Sequence, residues 1–311
     1  MSEKKLAIIL INWNNGEDTI ECLQMIDAWR RLRADIWVVD NASSDGSPEQ
    51  IASRFPGVLL LRNRRNLGFA GGNNAAIRSA LQAGSQLILL LNNDARLEEE
   101  SALGLMQALD IAPGYGLVGP LLEEHIGNKA VLYAGGREIA YHVNTRIRWN
   151  RQLAPVETVL PVDYVPGTAV LIRADVFKEV GMLDEDYFFS GEIADFCRRA
   201  RTKGYRCGIA AHITAAHHSE RAGKLRQTLY LYYSLRNRLL YTRKFASAAW
   251  LAAWAGYDLF LAGKRLAGGD RPAARAIWLA LVDGLAGRYG NRNSLFGLTE
   301  PISKEAFGAK E

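Results

Sequence analysis

Four apolar runs constrain the fold of this chain more than any other feature of its sequence. They lie at Leu6–Ile11, Ile36–Val39, Val58–Leu61 and Leu87–Leu91, and polar residues do not alternate within them. Runs of this length and composition predict strands that are buried on both faces.

Helical patterns separate these runs. Between the first two, apolar residues recur at every third position, which predicts one buried helix face formed by Ile20, Leu23, Ile26, Trp29 and Leu32. A second helix is predicted from about Asn73 to Ala83, ended by Gly84. Alternating strands and helices predict a parallel sheet with right-handed crossovers, and ligands bind such sheets outside the carboxyl ends of the strands.

Polar side chains follow the apolar runs at that same edge. In "LILLLNNDARL" the fourth run leads directly into Asn92, Asn93 and Asp94, and Asp40 follows the second run in "VVDNASSDGS". "INWNN" closes the first run and "NRRNLGFAGGNNAA" follows the third. An unpaired polar group in an apolar environment costs roughly 2–7 kcal/mol. One such acid is typical of a turn, but four polar strand ends together favour a ligand-binding crevice.

The glycines of the third motif constrain the ligand. Gly68, Gly71 and Gly72 do not have the G-x-G-x-x-G spacing, which disfavours a nicotinamide enzyme. Glycine lets the backbone approach a ligand closely ahead of a helix N-terminus, where anions bind. The pattern is therefore compatible with a phosphate-bearing ligand.

The length and the cysteine content limit the class of protein. A chain of 311 residues can bury a large core. Three scattered cysteines, Cys22, Cys197 and Cys207, favour neither a disulfide framework nor a zinc site, and indicate a reducing compartment. The first apolar run is too short for a signal peptide, so we expect a cytoplasmic protein.

Charge is distributed unevenly along the chain. From Arg221 onward there are 15 Lys and Arg against 6 Asp and Glu, whereas the preceding 220 residues carry 23 against 27. A near-neutral body with a basic C-terminal region predicts either an anionic partner, such as a phospholipid surface or nucleic acid, or a solvated basic helix face. Nucleic acid is disfavoured because no matching fold motif accompanies the basic residues.

The ordered motifs resemble those of a known enzyme family. "INWNNGEDTIECL", "VVDNASSDGS", "NLGFAGGNNAAI" and "LLLNNDARL" are similar to the nucleotide-sugar half of family 2 inverting glycosyltransferases, and particularly to the rhamnosyltransferase-like branch. The similarity continues through "VDYVPGTAVLIRADVFKEVGMLDEDYFFSGEIADFCRRA", His217 and "YYSLRNRL", and covers roughly residues 5 to 240. It implies an α/β fold of the Rossmann-like glycosyltransferase A type, with a mixed, mainly parallel central sheet and additional C-terminal helices.

The resemblance implies roles for the donor-side residues. Asp40 would hydrogen-bond the pyrimidine base, Asn92 the ribose, and Asp94 would bind a Mg²⁺ or Mn²⁺ ion that bridges the diphosphate. His217 is the expected second metal ligand, with His218 as the alternate. The remaining residues expected to bind the nucleotide or substrate are Asn12, Asn14, Asn41, Asn66, Gly68, Gly71, Asn73 and Asn93.

An inverting reaction also needs a base that deprotonates the acceptor hydroxyl. Many family members place an Asp where this chain has Ile193 in "GEIAD". A second rhamnosyltransferase-like pattern, an acid followed by two variable residues and Asp, fits Glu192 and Asp195. We therefore expect Glu192 to be the base and Asp195 to be the reserve. Asp184 and Glu185 would help to frame the acceptor, or be ordinary loop carboxylates.

The C-terminal region predicts a separate role. We divide the chain into a catalytic domain at 1–225 and a basic helical region at 226–311. Phe245 to Gly263 is mostly apolar but contains Asp258, which disfavours a membrane span. A helix in the membrane interface or against a partner subunit is expected, with Trp250, Trp254 and Trp278 at the headgroups; packing onto the catalytic domain is the alternative.

The resemblance therefore implies a metal-dependent enzyme that transfers a sugar from a nucleoside diphosphate donor to a glycan or polyprenyl-linked saccharide. The first expectation is L-rhamnose from its thymidine diphosphate donor, at the inner face of the cell membrane, in polysaccharide synthesis. The alternatives are another UDP- or GDP-sugar, a peptide acceptor, or a sugar-nucleotide-binding protein without turnover, which Ile193 suggests. A homodimer is a further expectation.

Overall fold

The computed structural model describes residues 5–127, 129–150, 159–217 and 224–298. The strands in these ranges are β1 (Leu6–Asn12), β2 (Ala34–Asp40), β3 (Leu59–Arg62), β4 (Leu87–Leu91), β5 (Ala95–Arg96), β6 (Tyr115–Ile126), β7 (Lys129–Gly136), β8 (Arg146–Trp149), β9 (Val159–Pro161), β10 (Ala169–Arg173) and β11 (Arg206–His217). The helices are α1 (Gly16–Asp27), α2 (Ser47–Arg54), α3 (Gly68–Gln82), α4 (Glu99–Ile111), α5 (Ala174–Val180), α6 (Glu192–Thr202), α7 (Lys224–Phe245), α8 (Ala248–Ala267) and α9 (Arg271–Leu285).

The sheet is mixed, with its strands in the order β3-β2-β1-β4-β10-β6-β11-β5. The first four of these strands are parallel, as the alternating pattern predicts. β10 runs antiparallel between β4 and β6, and β6 is parallel to β11. The carboxyl ends of β1, β2 and β4 therefore meet at one edge of the sheet, and this edge carries the predicted donor residues.

Helices cover both faces of the sheet, because successive residues of a strand point to opposite sides. In β1, Ile8 and Leu10 belong to the same buried cluster as Leu23 of α1. Ile9, one position away, belongs to the opposite cluster, with Ile77 of α3. This three-layer arrangement explains why the apolar runs show no alternation.

Four details differ from the sequence prediction. Val58–Leu61 was predicted to be buried, but β3 is the outermost strand and Leu59 is exposed, since this strand pairs only with β2 among the described strands. α1 ends at Asp27, so Trp29 and Leu32 are buried beyond the helix. α3 begins at Gly68 rather than near Asn73. α2 was not predicted, although Pro48 in its first turn is a typical start signal.

The three C-terminal helices form an additional layer. Tyr232 and Tyr233 of α7 and Ile277 and Ala280 of α9 share a buried cluster with Phe188, which precedes α6. Trp254 of α8 was expected at lipid headgroups but is buried, and its indole N–H donates to the carbonyl of Ala140. None of the helices in the described part of the chain is long and apolar enough to cross a membrane.

Candidate active site

The ends of β1 and β2 are joined through their polar side chains. Asn12 is opposite Asp40 in the parallel register, and its amide donates to Oδ1 of Asp40 at 2.9 Å. The same amide donates to Ser47, and Oδ2 of Asp40 accepts from the backbone N–H of Ser43. The polar groups that follow the apolar runs are thus buried but hydrogen-bonded to one another. Asn12 fixes the carboxylate of Asp40 at the sheet edge.

The adjacent asparagines shape the loops around this edge. Asn14, with a positive φ of 50°, accepts from the backbone of Ser44. Asn41 donates to the carbonyl of Gly68 at 2.9 Å, and Asn66 accepts from the N–H of the same glycine at 2.8 Å. Asn73 donates within its own helix, to Phe69. The structure thus brings Asn41, Asn66 and Gly68 together beside Asp40.

The expected anion site ahead of a helix takes a different form, because Gly71 and Gly72 lie inside α3. A Cβ at Gly71 would be 2.8 Å from Cβ of Leu67, and one at Gly72 would be 2.8 Å from Cδ1 of Ile11. Gly68, the first residue of α3, has φ of 70°, and a Cβ there would be 2.2 Å from the carbonyl oxygen of Phe188. The glycines thus allow close packing within the protein, and Gly68 brings the donor edge against the segment before α6.

The polar residues after β4 diverge. Asn92 is half-buried, and its backbone N–H donates to Thr168. Asn93 donates to the hydroxyl of Thr19, which itself donates to Oδ1 of Asn12. Through Thr19, Asn93 therefore links the end of β4 to the Asn12–Asp40 pair.

Asp94 lies beside His217, as the metal-site prediction required. Oδ1 of Asp94 is 3.4 Å from Nε2 of His217, and Oδ2 is 3.3 Å from a guanidinium nitrogen of Arg226. Asp94 is buried, and its Oδ1 has no hydrogen-bond partner in the described part of the chain. The register of β5 with β11 brings these residues together, although 123 positions separate them in sequence. His218, the alternate ligand, lies outside the described residues.

Glu124 of β6 contacts the second ring nitrogen of His217. Its Oε1 is 3.0 Å from Nδ1 of His217, and Arg146 donates to its Oε2. Burial alone would lower the pKa of His217, but the carboxylates of Asp94 and Glu124 outweigh burial and raise this pKa to about 9. Burial alone would raise the pKa of Asp94, and its cationic neighbours His217 and Arg226 lower it instead. The sequence offered no signal for Glu124.

Asp94 and His217 together supply part of a coordination shell for a divalent cation. The buried Oδ1 of Asp94 and the facing imidazole nitrogen of His217 supply two ligands that Mn²⁺ accepts once the ion displaces the proton on that nitrogen. An imidazole whose other nitrogen faces a carboxylate is the usual arrangement for a metal-binding histidine. Among the described residues, no group of three or more His, Cys, Asp or Glu side chains could hold a metal ion by itself. A cation here would need further ligands from a bound substrate.

Glu192 and Asp195 have opposite environments at the start of α6. Glu192 is buried, and its Oε2 has no hydrogen-bond partner among the described residues. Burial is the main cause that raises the pKa of Glu192, the nearby charge of Asp195 adds to it, and the resulting pKa is about 7. Asp195 is also buried, but it accepts from Tyr187 at 3.1 Å and Arg199 at 2.6 Å, and is paired with Lys244. Asp195 is held by these partners, whereas Glu192 retains a carboxylate oxygen that can accept a proton.

Ile193 points into the core. It is buried in the same apolar cluster as Phe196 and Val165, and a Cβ on Gly167 would lie 3.0 Å from its Cγ1. A carboxylate in this position would be desolvated without a partner. The apolar residue is therefore explained by packing.

The segment before Glu192 is strained and is held by α7. Phe188 and Ser190 have positive φ values of 61° and 72°, which non-glycine residues rarely adopt. The amide of Asn237 donates to the carbonyls of Tyr187, Phe189 and Ser190. Arg236 also donates to the carbonyl of Tyr187. Arg236 and Asn237 both lie in "YYSLRNRL", and no role was predicted for either; polar residues between apolar ones in a buried helix are the signal that could have identified them.

Asp184 and Glu185 are engaged locally. Asp184 accepts from the backbone N–H of Asp186 and forms an ion pair of 2.8 Å with Lys244. Glu185 accepts a hydrogen bond from the side-chain amide of Asn74 in α3. The same amide donates to the carbonyl of Leu183 and accepts from its backbone N–H. These contacts fix the segment leading to Glu192 against α3 and α7.

Known proteins are similar to this chain in sequence. The low-salt glycan biosynthesis hexosyltransferase Agl10 of Haloferax volcanii is 25% identical, over 76% of this chain and 74% of its own. The N-acetylglucosaminyl-diphospho-decaprenol L-rhamnosyltransferase of Mycobacterium tuberculosis is 25% identical, over 68% of this chain and 76% of its own. These relatives confirm the predicted resemblance to rhamnosyltransferase-like proteins.

Solved structures and a family model agree with this. The mannosyltransferase PcManGT from Pyrobaculum calidifontis, in complex with GDP-Man and Mn²⁺, superposes with a TM-score of 0.59 at 15% identity, covering 93% of this chain and 89% of its own. The predicted glycosyltransferase A fold is thereby confirmed. The family model described as glycosyl transferase family 2 matches residues 7–181, which is more than half of the chain. The chain therefore belongs to glycosyl transferase family 2 and is a glycosyltransferase.

Proposed function

We propose that the protein is an inverting, metal-dependent transferase that moves a sugar from a nucleoside diphosphate to a glycan acceptor. One observation carries the proposal: the buried carboxylate of Asp94 lies beside the cationic side chains of His217 and Arg226, whereas Oε2 of the buried Glu192 has no hydrogen-bond partner among the described residues. These surroundings push the two pKa values in opposite directions. Groups separated in this way are typical of a site that assigns them different chemical tasks. Asp94 stays ionised beside cationic partners, and Glu192 can gain or lose a proton near neutral pH.

On the donor side, Asp40 would accept a hydrogen bond from the base, and Asn92 would bind the ribose. Asp94 and His217 would hold Mg²⁺ or Mn²⁺ against the diphosphate, with Glu124 orienting the imidazole. The ion, when bound, neutralises charge on the departing nucleoside diphosphate. Arg226, half-exposed beside Asp94, adds positive charge at the same position.

On the acceptor side, Glu192 would act as the base. The acceptor hydroxyl attacks the anomeric carbon from the face opposite the diphosphate, and Glu192 takes the hydroxyl proton as the new C–O bond forms. The bond from the anomeric carbon to the diphosphate oxygen breaks, and the nucleoside diphosphate leaves with the electron pair. Single displacement inverts the anomeric configuration. Asp195, with its three donors, would keep α6 in position.

The relatives suggest the substrates. We propose L-rhamnose from its thymidine diphosphate donor as the transferred sugar and a polyprenyl-linked saccharide as the acceptor, since the Mycobacterium tuberculosis relative is named for both an L-rhamnosyl group and a diphospho-decaprenol. A different UDP- or GDP-sugar, as for the GDP-Man-bound structural neighbour, is the alternative.

A donor panel tests this proposal. Thermal shift and calorimetry with sugar nucleotides, with and without Mn²⁺, should identify a nucleoside diphosphate sugar that binds more tightly with the ion. Asp94→Ala should abolish this metal stimulation while leaving circular dichroism unchanged. Unchanged nucleotide affinity in Asp94→Ala, with and without Mn²⁺, would contradict the assignment. Donor binding without transfer to any acceptor would favour a binding protein.

A further inference from the structure

The outward side of α8 presents apolar residues to solvent. Its largest exposed side chains are Trp250, Leu259, Phe260 and Leu266, which are 42%, 55%, 67% and 59% exposed. From Ala248 to Gly263 the only charged residue is Asp258. We call these four residues the α8 face; it spans the whole outward half of the helix, with Phe260 near its centre, Trp250 on one margin and Leu259 and Leu266 on the other. An exposed apolar surface that follows a helix in this way is typical of an interaction site.

The contacts of α8 with the protein fix which side is free. Asp258 is fully buried and forms an ion pair with Arg238 of α7. The guanidinium of Arg238 also lies 3.9 Å from the ring centre of Trp254. One side of the helix is therefore held by a charge pair and a buried indole, so the α8 face cannot turn inward without breaking them.

The connection between β7 and β8 contacts the α8 face at Trp250. Tyr141, in the connection between β7 and β8, contacts Trp250 edge to face at 5.2 Å, and both rings are 42% exposed. Val143 in the same connection and Trp278 of α9 are also exposed. Aromatic side chains that are half exposed suit the boundary between water and lipid.

The charges around the α8 face favour an anionic partner. Lys264 in the last turn of α8 is exposed, as are Arg271 and Arg275 of α9. The acids of this region are occupied: Asp270 caps α9 and pairs with Arg265, and Asp283 is buried beside Arg292. A second copy of the chain would bring the same positive charges to the contact, whereas an anionic bilayer would neutralise them.

We propose that the α8 face is a membrane-docking surface that lies parallel to an anionic phospholipid bilayer, with Phe260 inserted among the headgroups and Leu259 and Trp250 at the two margins of the contact. A helix of 20 residues is about 30 Å long and can lie along the surface over its whole length. Docking is independent of the donor chemistry, and it would hold the active site near acceptors that carry a lipid.

Vesicle flotation tests the proposal with the full chain. Wild-type protein should float with vesicles of phosphatidylcholine and phosphatidylglycerol, and should bind pure phosphatidylcholine at least tenfold more weakly. The double variant Leu259→Asp, Phe260→Asp should lose at least tenfold in binding to the anionic vesicles. Both side chains are more than half exposed, so thermal melting should match that of the wild type. Ile111→Asp, which removes an equally exposed apolar residue on α4, is the matched control and should float normally.

The alternatives give different results. Equal flotation of the wild type and the double variant would overturn the proposal. A second contradicting result is a wild type that fails to float and sediments as a dimer while the double variant sediments as a monomer. The α8 face would then be a subunit contact. A wild type that stays monomeric and unbound would overturn it as well.

Discussion

The side-chain amide of Asn237 donates a hydrogen bond of 2.6 Å to the carbonyl of Ser190, two residues before Glu192. A helix far along the chain thus holds the strained segment that carries the proposed base. Gly68 at the donor edge meets the same segment through Phe188, whose carbonyl accepts from the N–H of Phe69. The donor edge, the base and α7 form one connected structure.

Removing the Asn237 side chain should therefore impair catalysis, because the segment that positions Glu192 loses its support. Asn237→Ala loses three hydrogen bonds to the segment, and we expect the free energy of unfolding to fall by about 2 kcal/mol. The kcat should drop at least tenfold while the Kd for donor stays within about twofold. Urea denaturation, kinetics and calorimetry measure these effects. Ser234→Ala on the same helix, which loses one bond of 3.3 Å, is the control. Equal effects of the two variants would contradict the role of Asn237.

Asp195 should behave as a structural residue. Asp195→Asn leaves Arg199 and Lys244 without their buried partner, so we expect a loss of stability of about 3 kcal/mol. Turnover at a temperature where the variant is folded should fall much less than in Glu192→Gln. A stable Asp195→Asn protein without turnover would reverse the assignment of base and reserve.

Glu124 should control metal affinity without touching the ion. Glu124→Gln weakens the contact that orients His217, and we expect Mn²⁺ binding in the presence of nucleoside diphosphate to weaken roughly 10- to 100-fold. Glu17→Gln, which changes an exposed carboxylate on α1, serves as the control. Calorimetry showing wild-type Mn²⁺ affinity in Glu124→Gln would contradict the proposed arrangement.

The buried carboxyl of Glu192 should also make stability depend on pH. An ordinary glutamate has a pKa of 4.5, and burial raises that of Glu192 to about 7. Because the raised pKa means that the folded state favours the protonated form, this contribution is present below pH 4.5 and is lost as pH rises through 7. Glu192→Gln should therefore be more stable than the wild type above pH 7, by about 3 kcal/mol, and the difference should shrink toward pH 4.5. If the free energies of unfolding of the wild type and of Glu192→Gln differ by the same amount at every pH, the raised pKa is contradicted.

Sequence pattern predicted the parts of the molecule that follow from local periodicity. The apolar runs gave β1, β2 and β4, and their polar ends gave the edge where Asn12 meets Asp40, because parallel strands end on the same side. The family resemblance implied His217 as the second metal ligand beside Asp94, and the two side chains lie 3.4 Å apart.

Other features depend on long-range packing and could not be read from single positions. The half-exposed state of β3 follows from its place at the sheet margin, and the start of α3 at Gly68 follows from its contact with Phe188. Glu124 is close to His217 because β6 and β11 are paired, which no local pattern in the sequence records. Trp254 is buried beside the Arg238–Asp258 pair, whose two residues lie on different helices.

The pH dependence of kcat/KM in the wild type and in Glu192→Gln tests the central claim most directly. A base with a pKa of about 7 must be ionised to accept the hydroxyl proton. The wild-type rate should therefore fall about tenfold per pH unit below 7 and level off above it. Glu192→Gln should be roughly 10²- to 10⁴-fold slower at pH 8 and lack this acidic limb, with donor affinity unchanged. A variant that keeps near-normal turnover and the same acidic limb would show that another group takes the proton.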